Sequence, residues 1–258
     1  MTHVQAKSSN RPRVHVLIPA FNESANIFDV VHELVEHKRD GKRVVSNVVV
    51  CDNASTDNTG ELARQAGAKV VHEAKQGYGA ACLRAIAALR DLQAQPGDMV
   101  VFVDGDHSVF TPEIDLLVDH LRERQGLIIG ARYASRMQRG ARSAHQRAGT
   151  AAASILIRMI WGVKVTDLGP FRALYYGDLL RLHMQDETFG WTTEMQVKAI
   201  QQAMPYCEVP VSTRRRRGRS KISGTVSGTI GAAYGIFSTI FWLWWQARSA
   251  QLSNEHYR

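Results

Sequence analysis

Short apolar runs recur along the first half of the chain, each followed by a polar cluster and then by apolar residues at helical spacing. Val14-His15-Val16-Leu17-Ile18 predicts a buried strand that ends at Pro19. Asn22 or Ser24 then caps a helix to about residue 37, with Ile27, Val30, Val31, Leu34 and Val35 on one face. Val48-Val49-Val50-Cys51 predicts a second buried strand, followed by the polar turn of residues 52–57 and a helix over 58–66 that stops at Gly67. Residues 69–71 predict a third strand and 79–92 a third helix. Met99-Val100-Val101-Phe102-Val103 predicts a fourth strand, Thr111-Pro112-Glu113 starts a further helix, and residues 127–130 form another strand. Continuous apolar strands separated by amphipathic helices predict an α/β fold, a mostly parallel sheet covered on both faces. Ligands of such sheets bind beyond the carboxyl ends of the strands. Asn22 with Glu23, Asp52 with Asp57, and Asp104 with Asp106 all fall there.

After Gly130 the pattern changes. Residues 131–147 carry five arginines among glycine and alanine and predict a basic loop. A helix follows over 148–161, then strands over 165–176 and 206–211 flanking a helix over 191–203. Residues 222–247 contain no charged side chain, a length that can span a bilayer. Their first half is rich in Ser, Gly, Thr and Ala, however, and Trp242, Trp244 and Trp245 just before Arg248 resemble an interfacial belt. The expected organisation is one domain over 11–222, divided into 11–130 and 131–222, then a C-terminal apolar helix over 223–247 and a tail over 248–258. That helix is expected to lie at a membrane interface, to form a homo-oligomer, to pack on the domain, or to span the bilayer.

Composition narrows the function classes. The chain has 258 residues and a formal net charge of +8, which points to an anionic partner such as a nucleotide or lipid headgroups. Much of the excess lies in Arg214-Arg215-Arg216-Arg217-Gly218-Arg219-Ser220-Lys221. Three scattered cysteines, Cys51, Cys82 and Cys207, lack metal-ligand spacing and suit a cytoplasmic location. The polar opening does not read as a secretory leader. Nucleic acid is not expected as a partner, because the arginine run lacks interleaved aromatics and the sheet's open edge is acidic. No G-x-G-x-x-G follows the first strand, which argues against a dinucleotide-binding oxidoreductase.

Asp104-Gly105-Asp106, placed directly after an apolar strand, offers two carboxylates to a hard cation that would bridge phosphate oxygens. With Pro19-Ala20-Phe21-Asn22-Glu23, the run Asp52-Asn53-Ala54-Ser55-Thr56-Asp57 and Lys75-Gln76-Gly77-Tyr78-Gly79, it resembles the family-two glycosyltransferases of the GT-A fold, a Rossmann-like arrangement. Gly130-Ala131-Arg132-Tyr133, the segment Asp167-Leu168-Gly169-Pro170-Phe171-Arg172 and Arg217-Gly218-Arg219-Ser220-Lys221 extend the likeness to the polyprenyl- and dolichyl-phosphate mannose or glucose synthase branch.

The resemblance implies an inverting hexosyltransferase that uses a nucleoside diphosphate sugar and a Mg2+ or Mn2+ ion. Its acceptor would be a polyprenyl phosphate or another membrane-proximal group, reached from the cytoplasmic face by peripheral membrane contact; a soluble small molecule is the alternative. By the same resemblance Pro19, Phe21 and Glu23 border the nucleobase and ribose, Asp52 holds the base, Asp104 holds the ribose or metal-bound phosphate, and Asp106, with Asp104, ligates the metal. The glycines beside Lys75 let the backbone approach the nucleotide. Arg132, Arg172, Arg219 and Lys221 are the candidate phosphate contacts. Glu194, and after it Asp167, are the candidate bases for an alcohol acceptor; a phosphate acceptor needs none. The chain departs from that branch after the two aspartates, with His107-Ser108 where Leu-Gln-His is usual, so Ser108, His107 or water is expected to supply the missing ligand.

Overall fold

The computed structural model describes residues 11–138, 140–141, 143–215 and 226–255. In chain order these form β1 (Val14–Ala20), α1 (Ile27–Glu36), the short hairpin β2 (Lys38–Arg39) and β3 (Lys42–Arg43), then β4 (Asn47–Asp52), α2 (Thr59–Gln65), β5 (Lys69–His72) and α3 (Tyr78–Ala87). The second part comprises β6 (Met99–Phe102), α4 (Ile114–Arg124), β7 (Leu127–Ala131), α5 (Ala144–Trp161), β8 (Arg172–Tyr175), α6 (Tyr176–Arg181), α7 (Trp191–Gln201), β9 (Tyr206–Pro210) and α8 (Val226–Glu255).

Seven strands make one sheet in the order β5-β4-β1-β6-β8-β7-β9. Pairings β1 with β4, β1 with β6, β4 with β5 and β7 with β9 are parallel, whereas β8 runs antiparallel to both neighbours. The fold is therefore α/β with a mostly parallel sheet covered by helices. Alternation along each strand divides the core. Val16 and Ile18 of β1 face Ile27, Val30 and Leu34 of α1 and Leu117 and Leu121 of α4. Leu17 faces the opposite layer, with Cys82 and Ala85 of α3 and Trp191 and Met195 of α7. Each of these buried aliphatic side chains stabilises the fold by roughly 2 kcal/mol. A third cluster joins Ala153 and Ile157 of α5, Val197 of α7 and Ile240 and Leu243 of α8.

The structure corrects several boundaries. Residues 165–171, expected as strand, precede β8 without entering the sheet. The basic loop is shorter than expected because α5 starts at Ala144. Ser143 caps it reciprocally with Gln146: Ser143 Oγ accepts the Gln146 N–H at 3.2 Å, and Gln146 Oε1 accepts the Ser143 N–H at 2.9 Å. The β2–β3 hairpin and α6 were not anticipated. The C-terminal helix runs on through Glu255 rather than ending near 247, and no described helix is long and apolar enough to cross a membrane.

Candidate active site

The carboxyl ends of β1, β4 and β6 open on one edge of the sheet. Beyond them the chain turns through Asn22, Ala54 and His107, at φ 53°, 56° and 59°. Left-handed backbone is uncommon outside glycine and persists where neighbouring contacts enforce it. Asn22 Oδ1 accepts the Thr56 N–H at 2.7 Å, and the Asn22 N–H donates to Ser55 Oγ at 3.0 Å, tying the ends of β1 and β4 together. The Glu23 N–H donates to Thr59 Oγ1 at 2.7 Å.

A cavity of about 330 Å3 lies at this edge, a size that suits a small organic ligand. Pro19 lines it from β1 and Phe21 and Glu23 from just beyond that strand, Asn53 from the turn after β4, Gln76 and Gly77 with Tyr78 from the approach to α3, and Asp104 to Asp106 from the turn after β6. Thr188 and Phe189, between α6 and α7, form the remaining wall. Tyr78 Oη donates to Asp104 Oδ1 at 3.1 Å, and the Ser108 N–H donates to Asp106 Oδ1 at 2.9 Å. Burial, and then the Asp104 carboxylate, hold the Tyr78 phenol well above its ordinary pKa, so it remains a donor.

Among the described residues, no three or more His, Cys, Asp or Glu side chains gather as a metal cage. The paired carboxylates still fit a magnesium-like cation, which takes one or two protein carboxylates and completes its shell with phosphate oxygens and water. The two residues expected to replace the missing ligand do not line the cavity. His107 is buried and its Nε2 lies 2.9 Å from Glu33 Oε1. Ser108 contributes its N–H to Asp106.

Several expected site residues have other partners. Asp52 does not line the cavity; its Oδ1 accepts the Ser55 N–H at 3.1 Å, a local turn contact. Its neighbour Asn53 lines the cavity instead. Asn53 Nδ2 donates to the carbonyls of Glu73 (3.1 Å) and Lys75 (2.7 Å), and Oδ1 accepts the Gly77 N–H at 2.8 Å. Lys75 is exposed and ion-pairs with Glu187.

Gly77 and Gly79 serve a protein–protein approach within the chain. A Cβ on Gly79 would lie 2.0 Å from the Asp186 carbonyl oxygen, and one on Gly77 would lie 2.2 Å from that of Glu187. The first N–H groups of α3 are satisfied there: Gly79 donates to Thr188 O at 3.0 Å and Ala80 to Glu187 O at 2.9 Å. The glycines thus dock the 186–189 segment onto α3, and the cavity lies between them and the strand ends.

The two candidate bases are both engaged away from the cavity. Glu194 is fully buried; its carboxylate accepts the N–H groups of Gln185 and Asp186, at 3.0 and 2.8 Å, and pairs with Lys198 Nζ at 2.7 Å. It fixes the segment that carries Thr188 and Phe189. Asp167 is gripped by Arg132 in a bidentate pair, Nε to Oδ2 at 2.7 Å and Nη2 to Oδ1 at 2.8 Å, with the Arg132 N–H adding a bond at 2.9 Å. Burial opposes the charge on Arg132, but Asp167 first, and then Asp104 and Asp106, raise its pKa.

Arg172 is not placed as a phosphate clamp. It is buried, donates to the carbonyl oxygens of Gly169 and Thr192, and stands 6.0 Å from the centre of the Trp191 ring; burial pulls its pKa down to about 10. Arg219 and Lys221 lie outside the described residues.

Of the lining residues, Asn53, Gln76, Tyr78, Thr188 and Phe189 were not singled out from sequence. Asn53, Gln76 and Tyr78 lie inside motifs already recognised, one to three positions from the residues chosen. Thr188 and Phe189 directly precede the Gly190-Trp191 helix start, and only the long-range docking on Gly77 and Gly79 brings them in.

Residues 15–182 match glycosyl transferase family 2. Among curated relatives, the glycosyltransferase AglJ of Haloferax volcanii is 31% identical over 200 residues, covering 77% of this chain and 62% of that protein's length. The undecaprenyl-phosphate mannosyltransferase of Micrococcus luteus is 26% identical over 227 residues, covering 84% of this chain and 90% of its own. The dolichyl-phosphate hexose transferase of H. volcanii is 26% identical over 215 residues, covering 83% and 88%. In fold, the chain is similar to the glucosyl-3-phosphoglycerate synthase of Mycobacterium tuberculosis, crystallised with Mn2+, uridine diphosphate and phosphoglyceric acid. The TM-score is 0.69 at 22% identity, covering 91% of this chain and 79% of that one. The parallel sheet, the paired aspartates at its carboxyl edge and the extent of the match lead to one assignment: the chain belongs to glycosyl transferase family 2.

Proposed function

We propose that the protein transfers a hexose, with inversion, from a nucleoside diphosphate sugar to the phosphate of a polyprenyl phosphate. The observation that carries this reading is that Asp104 and Asp106 line one cavity together with Pro19, Phe21, Glu23 and Asn53. The apolar Pro19 and Phe21 suit a nucleobase, and Glu23 offers a polar contact beside it. Asp104 and Asp106 would hold a Mg2+ or Mn2+ ion, which supplies charge neutralisation for the diphosphate leaving group. Residues 11–130 would accordingly serve the donor, and 131–222 the acceptor.

The state of the other carboxylates favours a phosphate acceptor. An alcohol must lose a proton to a base within hydrogen-bond reach. Asp167 is paired with Arg132, and Glu194 is buried against Lys198 and two backbone N–H groups. A phosphate acceptor is already anionic at neutral pH and asks for orientation instead. The polyprenyl carrier is suggested by the two curated relatives named for polyprenyl phosphates, and a peripheral contact with the bilayer on its cytoplasmic side would bring such an acceptor to the cavity.

The test is to incubate the protein and Mn2+ with a panel of nucleoside diphosphate hexoses, offering a polyprenyl phosphate and 3-phosphoglycerate in parallel. The expected product is a glycosyl polyprenyl phosphate. Transfer to 3-phosphoglycerate alone would assign a soluble acceptor and reject the lipid.

A further inference from the structure

The C-terminal helix has two working faces. Its inner face is built into the wall of the cavity. Thr239 Oγ1 donates to Asp186 Oδ2 at 2.9 Å, and Asp186 Oδ1 accepts the Thr188 N–H at 2.6 Å and its hydroxyl at 2.9 Å. A Cβ on Gly190 would lie 2.0 Å from Thr239 Oγ1 and 2.9 Å from the Gly235 carbonyl oxygen. A Cβ on Gly235 would lie 3.3 Å from that of Phe189. Phe189 therefore rests directly on α8, and Thr188 is held to it through Asp186.

The outer face carries aromatic residues with nothing described over them. Tyr234, Phe237, Phe241 and Trp245 follow at intervals of three, four and four, one side of a helix about 16 Å long. Tyr234 is 75% exposed, Phe241 63% and Trp245 57%. Large aromatics in a row are uncommon on a surface meant only for water. Arg248 ends the row, its guanidinium 5.5 Å from the centre of the Trp244 ring. Helix α5, which packs against α8 through Ile157, also exposes Ile155 and Met159 on either side of Arg158. Neither residues 143–166 nor residues 226–254 contain a single Asp or Glu, whereas Arg147, Arg158, Lys164 and Arg248 are exposed.

We propose that the aromatic face of α8 is the surface by which the protein lies on an anionic lipid bilayer, directly behind the wall formed by Thr188 and Phe189. Charge complementarity selects this occupant: aromatic side chains seat at the headgroup level, and the exposed cations of residues 143–166 and of α8, with Glu255 at the far end of α8 the one acidic residue of these stretches, match negative headgroups. The helix thereby supports the cavity wall with one face and meets the bilayer with another. This deepens the reading of a lipid-linked acceptor but is tested separately from it.

The experiment is cosedimentation of the full chain with vesicles of phosphatidylglycerol and phosphatidylcholine, at low and high salt. Wild-type protein is expected to partition at least tenfold more strongly onto the phosphatidylglycerol vesicles, and to be released by salt. The double variant Phe241→Ser, Trp245→Ser is expected to lose at least tenfold in partitioning while keeping its melting temperature. As a readout independent of any variant, tryptophan emission of the wild type should shift to the blue on vesicle addition and be quenched by brominated acyl chains. Absence of vesicle binding or of quenching overturns the proposal. So does a wild-type dimer that the double variant converts to monomer without any vesicle binding, since a second copy then covers the face. Vesicle binding without sugar transfer to polyprenyl phosphate would leave this surface standing and remove the acceptor assignment alone.

Discussion

The hydroxyl of Tyr78 reaches one oxygen of Asp104 from the base of the cavity, and a hydrogen bond to a charged group contributes roughly 1.5–3 kcal/mol. Tyr78→Phe keeps the ring against Trp191 and removes the hydroxyl with its bond to Asp104. It should lower kcat/KM by about 10- to 100-fold and weaken Mn2+ binding in a direct titration, in a protein that still folds. Asp106→Ala should abolish metal-dependent turnover in a protein that still folds. At Glu194 the expectation is of another kind. Because its carboxylate is buried against Lys198 and two backbone N–H groups, Glu194→Gln should cost about 3 kcal/mol of stability, read by chemical denaturation. A fully stable variant with selectively lost turnover would instead make Glu194 a chemical participant. Asp52 and Asn53 show what sequence alone conveyed at this scale. The motif placed a polar pair at the end of β4, but which member turned toward the cavity depended on the bonds Asn53 makes to the 73–77 segment, and those are long-range contacts.

Among the elements, the 183–190 connection closes one wall of the cavity with Thr188 and Phe189. Gly79→Ala would place a methyl group 2.0 Å from the Asp186 carbonyl oxygen, so the segment must move off α3 and take Thr188 and Phe189 with it. The expected result is a folded protein with a large loss of turnover, checked by kinetics alongside circular dichroism. At the opposite end of β1, His15 is buried with Nε2 3.3 Å from Asp98. Burial lowers its pKa below the usual value near 6.5, although Asp98 pulls the other way. Between the lowered value and about 6.5 the unfolded chain binds the extra proton. Stability should therefore fall as pH drops through that window, and His15→Asn should flatten the dependence of melting temperature between pH 7.5 and 5.5. The strands and the first helices were legible because apolar periodicity reports burial locally. Residues 165–171 were not: they are apolar because Val165, Leu168 and Phe171 are buried, yet they pack without pairing into the sheet.

On the scale of the whole molecule, one sheet edge gathers chain segments from residue 19 to residue 189 around a single cavity. The order of the motifs made the fold and the polar edge of the sheet readable in advance, since each polar cluster follows its own strand. The second half of the chain was less readable, because Arg132, Asp167, Arg172 and Glu194 look like free chemistry in a sequence and are held in internal pairs and carbonyl contacts. Arginines and carboxylates that satisfy each other in a buried site leave no local mark distinguishing them from those that meet a substrate. Binding of a diphosphate to Asp104 and Asp106 through a cation in this cavity is measured by calorimetric titration of a panel of nucleoside diphosphates, with and without Mn2+, against wild type and Asp106→Ala. One nucleotide is expected to bind the wild type tightly only with Mn2+, and the variant to lose the metal-dependent part. Equal affinity without metal, or an unchanged response in the variant, would rule that binding mode out.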